Sequence, residues 1–483
     1  MTPVITPPIP YLREIMTRVM SGVYPFDIGF ISGMSSPATA SNVQLLTRNK
    51  PEERKAFVEI YKPFFIAGIL SVLTAGCLLG AVALYGISVQ GSYTASAWTP
   101  YVLAHANSQV FGWVGFFIIG FALQQHAPMQ SKLRLFNTLA WLSLITIAVG
   151  IGLRFAAEPL VRVQPEVWLP VGIGSSVLQA VGVTLFVANI GLTRSKQGKA
   201  PWQTLYVFVS LFYFIGIAWL DPILFAGSHQ SDPNASIQFV AQWFSPYREA
   251  TFLGFVANMI FGVGLSKFSH CFGYREPLRA WANAAFFLWN LGVIVRIVGW
   301  IQFFDAGLAP GAGALYYASG PLLLFGATAA IVAARIFEPA DTYLRSHKFQ
   351  RASLAWLFIA GVLLVWEPVH LSLLGVPFSH AYTGAIRHAV TVGFISQMII
   401  GFSLHVAASM TDRDPTSLPR LWSVFWLINI GNMARVACEV ATDFTPIAFA
   451  PMGFTGFVEL VGLGIWAASV LGLILPKARL ASA

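Results

Sequence analysis

Apolar residues gather along this chain in runs of about twenty, separated by short polar stretches. A helix rising 1.5 Å per residue needs ~20 such residues to cross a hydrocarbon layer of ~30 Å. Twelve runs meet that length, near 62–87, 102–124, 137–154, 168–191, 204–226, 250–268, 280–303, 314–337, 353–375, 386–409, 419–441 and 452–475. The pattern predicts an all-α polytopic membrane protein with twelve transmembrane helices in a lipid bilayer. Composition agrees, since 56% of the 483 residues are hydrophobic, 10% are charged and the mean hydropathy is +0.68. Soluble domains carry roughly a quarter charged residues. Residues 1–60 lack a comparable run and read as a cytoplasmic or surface-lying extension preceding a membrane domain at 61–483. They also lack the short apolar core and small-residue cleavage site of a signal peptide, so none is expected.

Loop charge then sets the orientation, because Lys- and Arg-rich loops stay cytoplasmic. The connections after even-numbered spans hold Lys132 and Arg134; Arg194, Lys196 and Lys199; Lys267, Arg275 and Arg279; Arg345, Lys348 and Arg351; and Arg413 and Arg420. Those after odd-numbered spans hold very few. Arg13, Arg18, Arg48, Lys50, Arg54 and Lys55 before the first span, and Lys477 and Arg479 after the last, put both termini in the cytoplasm. The net charge of +9 is thus a record of topology, not a nucleic-acid footprint. The expected location is a bacterial-type inner membrane. Cys77, Cys271 and Cys438 show neither metal-ligand nor disulfide spacing.

An internal repeat organises the twelve spans. The second reads GWVGFFIIG from Gly112, the sixth GFVANMIFG from Gly254 and the tenth GFISQMIIG from Gly393, each with the form G-x7-G. One span later come Gly150 and Arg154, Gly292 and Arg296, and Gly431 and Arg435, each G-x3-R. From Gly112 to Arg154, from Gly254 to Arg296 and from Gly393 to Arg435 is 42 residues each time. The expected architecture is three pseudo-symmetric four-helix units at about 61–200, 201–350 and 351–483, closing as arcs around pores or cofactor sites.

Within that repeat, chemistry varies where spacing does not. Five residues before the first glycine stand Asn107, Glu249 and His388, and seven before Gly112 stands His105. Polar groups at such depth line a cavity or pair with a partner. Two imidazoles from facing helices can bind one heme iron axially, each fixed through its second nitrogen. His105 and His388 are therefore candidate ligands of a low-spin heme b. Gly112 and Gly393 are candidates for close approach of the flat macrocycle. Arg154, Arg296 and Arg435 fall at one outer level, where guanidinium groups can meet heme propionates. The plainer alternatives are glycines for helix packing and arginines that snorkel to the interface.

HANSQVFGW in the second span and HAVTVGF in the tenth resemble the low-spin heme helices of heme-copper oxidase catalytic subunits. That superfamily also arranges twelve helices in threefold fashion. YKPFFIAGILSVL at 61–73, REATFLGFVANMIFG at 248–262 and RHAVTVGF at 387–394 resemble the NnrS family of heme-containing membrane proteins. This closer resemblance runs from about residue 60 to 475 and implies a role in nitric oxide metabolism or response, or in electron transfer. Oxidases carry His-x-His on helix ten, whereas this chain reads Ile386-Arg387-His388, so the high-spin heme ligand is missing. The sixth span begins Arg248-Glu249-Ala250 and the following outer loop has no histidine, which makes an oxygen-reducing binuclear centre improbable. NnrS proteins place His-x-His at the start of helix two; His105-Ala106-Asn107 leaves copper doubtful.

Asp221 in WLDP and Glu367 in WEPVH form a further repeat trace, and His229 also belongs to the outer face. Glu249, His370 and His380 are candidates for a second metal. His126, His270 and His405 lie near the inner ends of the same three helices, where they either mark a second, cytoplasmic-side heme and a transmembrane electron path or simply face water. Two other functions fit the same chain. One is a heme-bearing subunit that oxidises quinol or conducts electrons to a partner subunit. The other is a cofactor-free anion transporter whose Arg and Glu residues guide its substrate. On the topology, a cysteine placed in the 192–203 loop is expected to react with a membrane-impermeant maleimide only after the membrane is opened. Labelling of that loop from outside in intact cells would invert the orientation.

Overall fold

The computed structural model describes residues 59–475, apart from 94–95, 127, 196–199, 310 and 412. The expected N-terminal extension therefore lies almost wholly outside the described residues. Twelve helices are long and apolar enough to cross a membrane: α1 (Tyr61–Gln90), α2 (Thr99–Gln125), α3 (Gln130–Leu160), α4 (Pro165–Thr193), α5 (Thr204–Ser228), α6 (Pro233–Phe272), α7 (Arg279–Asp305), α8 (Ala314–Ala334), α9 (His347–Leu374), α10 (His380–Met410), α11 (Trp422–Thr442) and α12 (Pro446–Ile474). Among the described residues there is no strand. The end of the bundle carrying the arginine-poor loops is termed the outer end below.

Each expected span coincides with one helix, and the boundaries move for identifiable reasons. Helix α8 stops at Ala334 rather than 337 because Arg335 takes the left-handed conformation, φ 54°. There it pairs with Glu338 at 2.7 Å. Helix α6 starts at Pro233, well before the apolar run at 250, with Asp232 capping the Asn234 N–H at 3.0 Å. Gln242 holds this polar extension against α7, its backbone oxygen accepting from Trp300 Nε1 at 3.0 Å and its amide donating to Asp305 at 2.9 Å. Burial of Trp300 binds the extension to the bundle, which a hydropathy pattern does not register.

Helices α2, α6 and α10 occupy the interior. In each, 72% of the most apolar stretch is buried, against 39–50% in the other nine. Their inward faces meet through aromatic contacts such as Phe261 with Phe394 and Phe121 with Phe402. Side chains such as Phe212, Phe287 and Leu373 project from the outer helices, as a lipid-facing surface requires. Helix α4 packs on α5, α8 on α9 and α12 on α1, so the last helix closes onto the first.

The G-x7-G and G-x3-R glycines are contact points between helices. Cβ atoms added at Gly112, Gly254 and Gly393 would meet Ser71, Tyr213 and Trp356 at 2.5–2.7 Å, on α1, α5 and α9. At Gly150, Gly292 and Gly431 they would meet Gln179 and Ser175, Leu323, and Glu459, on α4, α8 and α12. Lipid tails are as apolar as leucine, so association inside a bilayer relies on such close backbone approach rather than on expelling water. Gly112 and Gly393 thus serve helix seating, each against the first helix of its own unit.

Each interior helix also widens in the same register. π-Helical turns cover Ser108–Gly115, Ala250–Ala257 and Ala389–Ser396, from four residues before to three after the repeat glycine. A π turn shifts hydrogen bonding to i→i+5 and frees backbone carbonyls, and such turns recur at functional sites. Here Ser210 and Ser353 donate to the Phe255 and Phe394 carbonyls at 2.7 and 2.6 Å.

One consequence for stability follows from Gly299, whose added Cβ would lie 2.5 Å from the Tyr316 backbone nitrogen. Gly299→Val should lower the melting temperature in detergent by several degrees, corresponding to about 1–3 kcal/mol of overpacking. Gly152→Ala, where an added Cβ meets nothing within 4 Å, should leave it unchanged. Equal melting temperatures for wild type and both variants would contradict this packing.

Candidate functional site

The three repeat arginines are all buried, with 1–7% of their surface exposed, and each meets a different environment. Arg154 on α3 donates through Nε to Glu158 at 2.7 Å and through Nη1 to Asp221 on α5 at 3.0 Å and Ser176 at 2.5 Å. His229 Nε2 lies 3.4 Å from the other Glu158 oxygen. Ser176 and Tyr247 donate to the Asp221 carboxylate. This cluster is closed, a cation matched by carboxylates and hydroxyls within the protein.

Arg296 on α7 repeats the plan one unit later. Its Nε meets Glu249 at 3.0 Å, while Nη2 meets Glu367 on α9 at 3.1 Å and Tyr316 Oη at 2.7 Å. The WLDP and WEPVH carboxylates therefore do the same job, each neutralising the arginine of the preceding unit. Nη1 of Arg296 is buried with no hydrogen-bond partner.

The third site breaks the pattern. Helix α1, which adjoins α12 as α5 adjoins α4, contains no acidic residue. Arg435 on α11 instead pairs with Glu439, one turn on, at 2.8 Å, and its buried Nε and Nη1 have no partner. Where the first two arginines find a carboxylate from the next unit, the region beside Arg435 gathers both candidate heme ligands. His388 and Arg435 lie within electrostatic reach of His105, and Glu459 on α12 within reach of His388 and Arg435. Buried atoms of Asn432, Glu459 and Gln109 also lack hydrogen-bond partners.

Both imidazoles are held in one way. His105 Nδ1 lies 2.8 Å from the Gly76 carbonyl, and His388 Nδ1 lies 2.9 Å from the Gly384 carbonyl and 3.1 Å from Glu439 Oε2. A proton on Nδ1 serves the Gly76 and Gly384 carbonyls and leaves Nε2 as the lone-pair nitrogen, while Glu439 Oε2 has no hydrogen-bond partner. Among the described residues no hydrogen bond engages either Nε2. Helix α1 is built for this contact. It ends a π turn at Gly76, where the backbone leaves helical geometry (φ −82°, ψ −109°) and turns the carbonyl outward. A Cβ there would lie 2.8 Å from the Ser71 oxygen, and one at Gly80 would lie 2.5 Å from the His105 ring.

The remaining candidates are dispersed. Asn107 exchanges hydrogen bonds of 3.0 and 3.1 Å with Gln179. His370 Nε2 meets Asp443 at 2.8 Å and its ring stacks on Tyr382, while exposed His380 lies edge-on to Phe378. Glu249 belongs to Arg296, so Glu249, His370 and His380 form no common site. Among the described residues no group of three His, Cys, Asp or Glu side chains could hold a metal ion. His405 packs on Phe272, its Nδ1 buried and without a partner. Glu439 had a legible signal: G-x3-R-x3-E occurs at Gly150 and again at Gly431, but not at Gly292. Gly76, Gly80 and Glu459 carried no such mark.

A family model described as NnrS protein matches residues 57–477, a span that holds the whole arrangement described above. The chain belongs to the NnrS family. Among curated proteins nothing matches it. The match takes in all twelve helices of this NnrS protein and both histidines.

Breaking one of the closed clusters tests their role. Arg154→Met should destabilise the protein by about 3–5 kcal/mol, because Asp221 and Glu158 would be left buried without their cation. Arg154→Met combined with Asp221→Leu should recover part of that loss. A single substitution that melts like wild type would show the cluster to be solvated.

Proposed function

We propose that this NnrS protein is a heme b membrane protein in which His105 and His388 ligate one low-spin iron through their Nε2 atoms. The observation that carries the reading is the paired imidazole geometry, with each Nδ1 held by a carbonyl and each Nε2 free of protein partners. In metal sites, the group bonded to the second nitrogen fixes tautomer and ring orientation. Gly76 does this for His105, and Gly384 with Glu439 does it for His388. Arg435 supports the reading independently, since its unpartnered Nε and Nη1 suit a propionate carboxylate. Arg154 and Arg296 are committed to protein carboxylates and are not needed there.

A heme held by His105 and His388 would supply one-electron redox chemistry and, with one imidazole released, a position for a small diatomic molecule. Family membership and this chemistry support a role in nitric oxide metabolism or response, or in electron transfer. The protein's own part is to hold both rings in place through carbonyls of α1 and α10. Glu439, 3.1 Å from His388 Nδ1, helps to set the orientation of that ring.

Purified protein should show a six-coordinate low-spin heme b absorption spectrum. His105→Ala and His388→Ala should each abolish it or convert it to a five-coordinate form. His405→Ala should leave it unchanged, because His405 lies 17 residues, about 25 Å of helix, further along α10. A normal spectrum in His388→Ala would sink the assignment.

A further inference from the structure

The cluster around Arg296 opens onto a small cavity between α6, α7, α9 and α10, with room for a group the size of about one or two water molecules, lined among others by Arg248, Glu249, Arg296, Thr383 and Arg387. Three guanidinium groups thus face one space. The carboxylates nearest to them are Glu249 and Glu367, which both bond Arg296, and Glu439, which is paired with Arg435. Among the described residues neither Arg248 nor Arg387 has a carboxylate within ion-pair distance; Arg248 has only the Phe244 ring, 5.5 Å away. Counting Glu367 behind Arg296, three cations face two anions, so the site carries one surplus positive charge. The buried Nη1 of Arg296 is also without a partner. Unpaired charge inside a membrane bundle is costly, and where it occurs it marks an ion or substrate site.

We propose that this cavity binds one small planar oxyanion, of carboxylate geometry, clamped by Arg248 and Arg387 and reached from the outer end past His380. A guanidinium fork matches a planar oxyanion with two parallel hydrogen bonds, which a spherical halide cannot accept. One monovalent anion neutralises the surplus charge, and Glu249 opposes a second. His380 is exposed and begins α10 seven residues before Arg387, ~10 Å of helix on nearly the same face. It does not line the cavity, and on this reading it stands on the way in from the outer end. The proposal is separate from heme ligation, since His105 and His388 belong to the Arg435 region.

The carboxylate could be a free small anion or a propionate of the heme itself, and the test separates them. The full-length protein in lipid nanodiscs is titrated with sodium formate replacing chloride at constant ionic strength. Melting temperature and tryptophan fluorescence report binding, and heme absorbance is followed in the same samples. Wild type should show a saturable rise in melting temperature. In Arg248→Gln and Arg387→Gln the apparent affinity should fall about ten-fold or more, with heme content unchanged. Arg162→Gln, an exposed outer-loop arginine, should behave as wild type. The lysine variants at 248 and 387 keep the charge but lose the fork, so they should fold and bind formate weakly. Absence of saturable binding in wild type together with heme loss in both glutamine variants would assign the two arginines to a propionate and overturn the free-anion site. Absence of binding with heme retained would mean that the arginines merely reach outer water, which overturns it as well.

Discussion

A guanidinium group cannot be left alone inside a membrane bundle, and the outer half of this protein is arranged around that constraint. Arg154, Arg296 and Arg435 stand at matching positions and all three are buried. Asp221 and Glu367 arrive from the first helix of the following unit to neutralise the first two. For Arg435 the following helix is α1, which has no acidic residue to offer. Glu439 meets only part of the need, and the unpaired nitrogens remain beside two histidines. One missing carboxylate thus separates a structural ion-pair cluster from a candidate cofactor site.

Backbone geometry does the complementary work. The three interior helices all widen into π turns in one register around a glycine seated on the first helix of the unit. Widening displaces carbonyls from the regular ladder, and neighbouring serines take up two of them. Helix α1 adds a π turn of its own ending at Gly76, whose carbonyl accepts from His105. The glycines that lie beside the histidines are Gly76, Gly80 and Gly384, none of which belongs to the repeat motif. Repeat glycines set helix spacing, and the local ones shape the site.

The same cluster plan gives three different environments because its occupants differ. Around Arg154 the guanidinium is answered by two carboxylates and a hydroxyl of the protein. Around Arg296 two carboxylates bond one guanidinium, whose Nη1 stays unpartnered, while Arg248 and Arg387 face a cavity without a carboxylate. Around Arg435 imidazoles stand where a carboxylate would close the site. A redox centre and an anion site in adjacent clefts would share the outer end of the bundle, reached from the same aqueous side.

By itself the sequence determined the twelve helices, because crossing hydrocarbon requires long apolar runs whose length is a local property. It also determined the correspondence of Arg154, Arg296 and Arg435, because a 42-residue interval survives changes in loop sequence. The pairing of Asp221 and Glu367 with those arginines was half legible, as a recurring Trp and carboxylate with no indication of the partner. Only the tertiary structure decided which polar residues meet. Glu249, His370 and His380 look alike as outer polar positions, yet they separate into an ion pair, a stacked imidazole bonded to Asp443 and an exposed ring. The fold of α1 at Gly76 was likewise invisible, since a glycine in an apolar run signals helix packing as readily as a displaced carbonyl. Spacing along one helix fixes which residues share a face, whereas the partner across the interface depends on how the helices are rotated against each other.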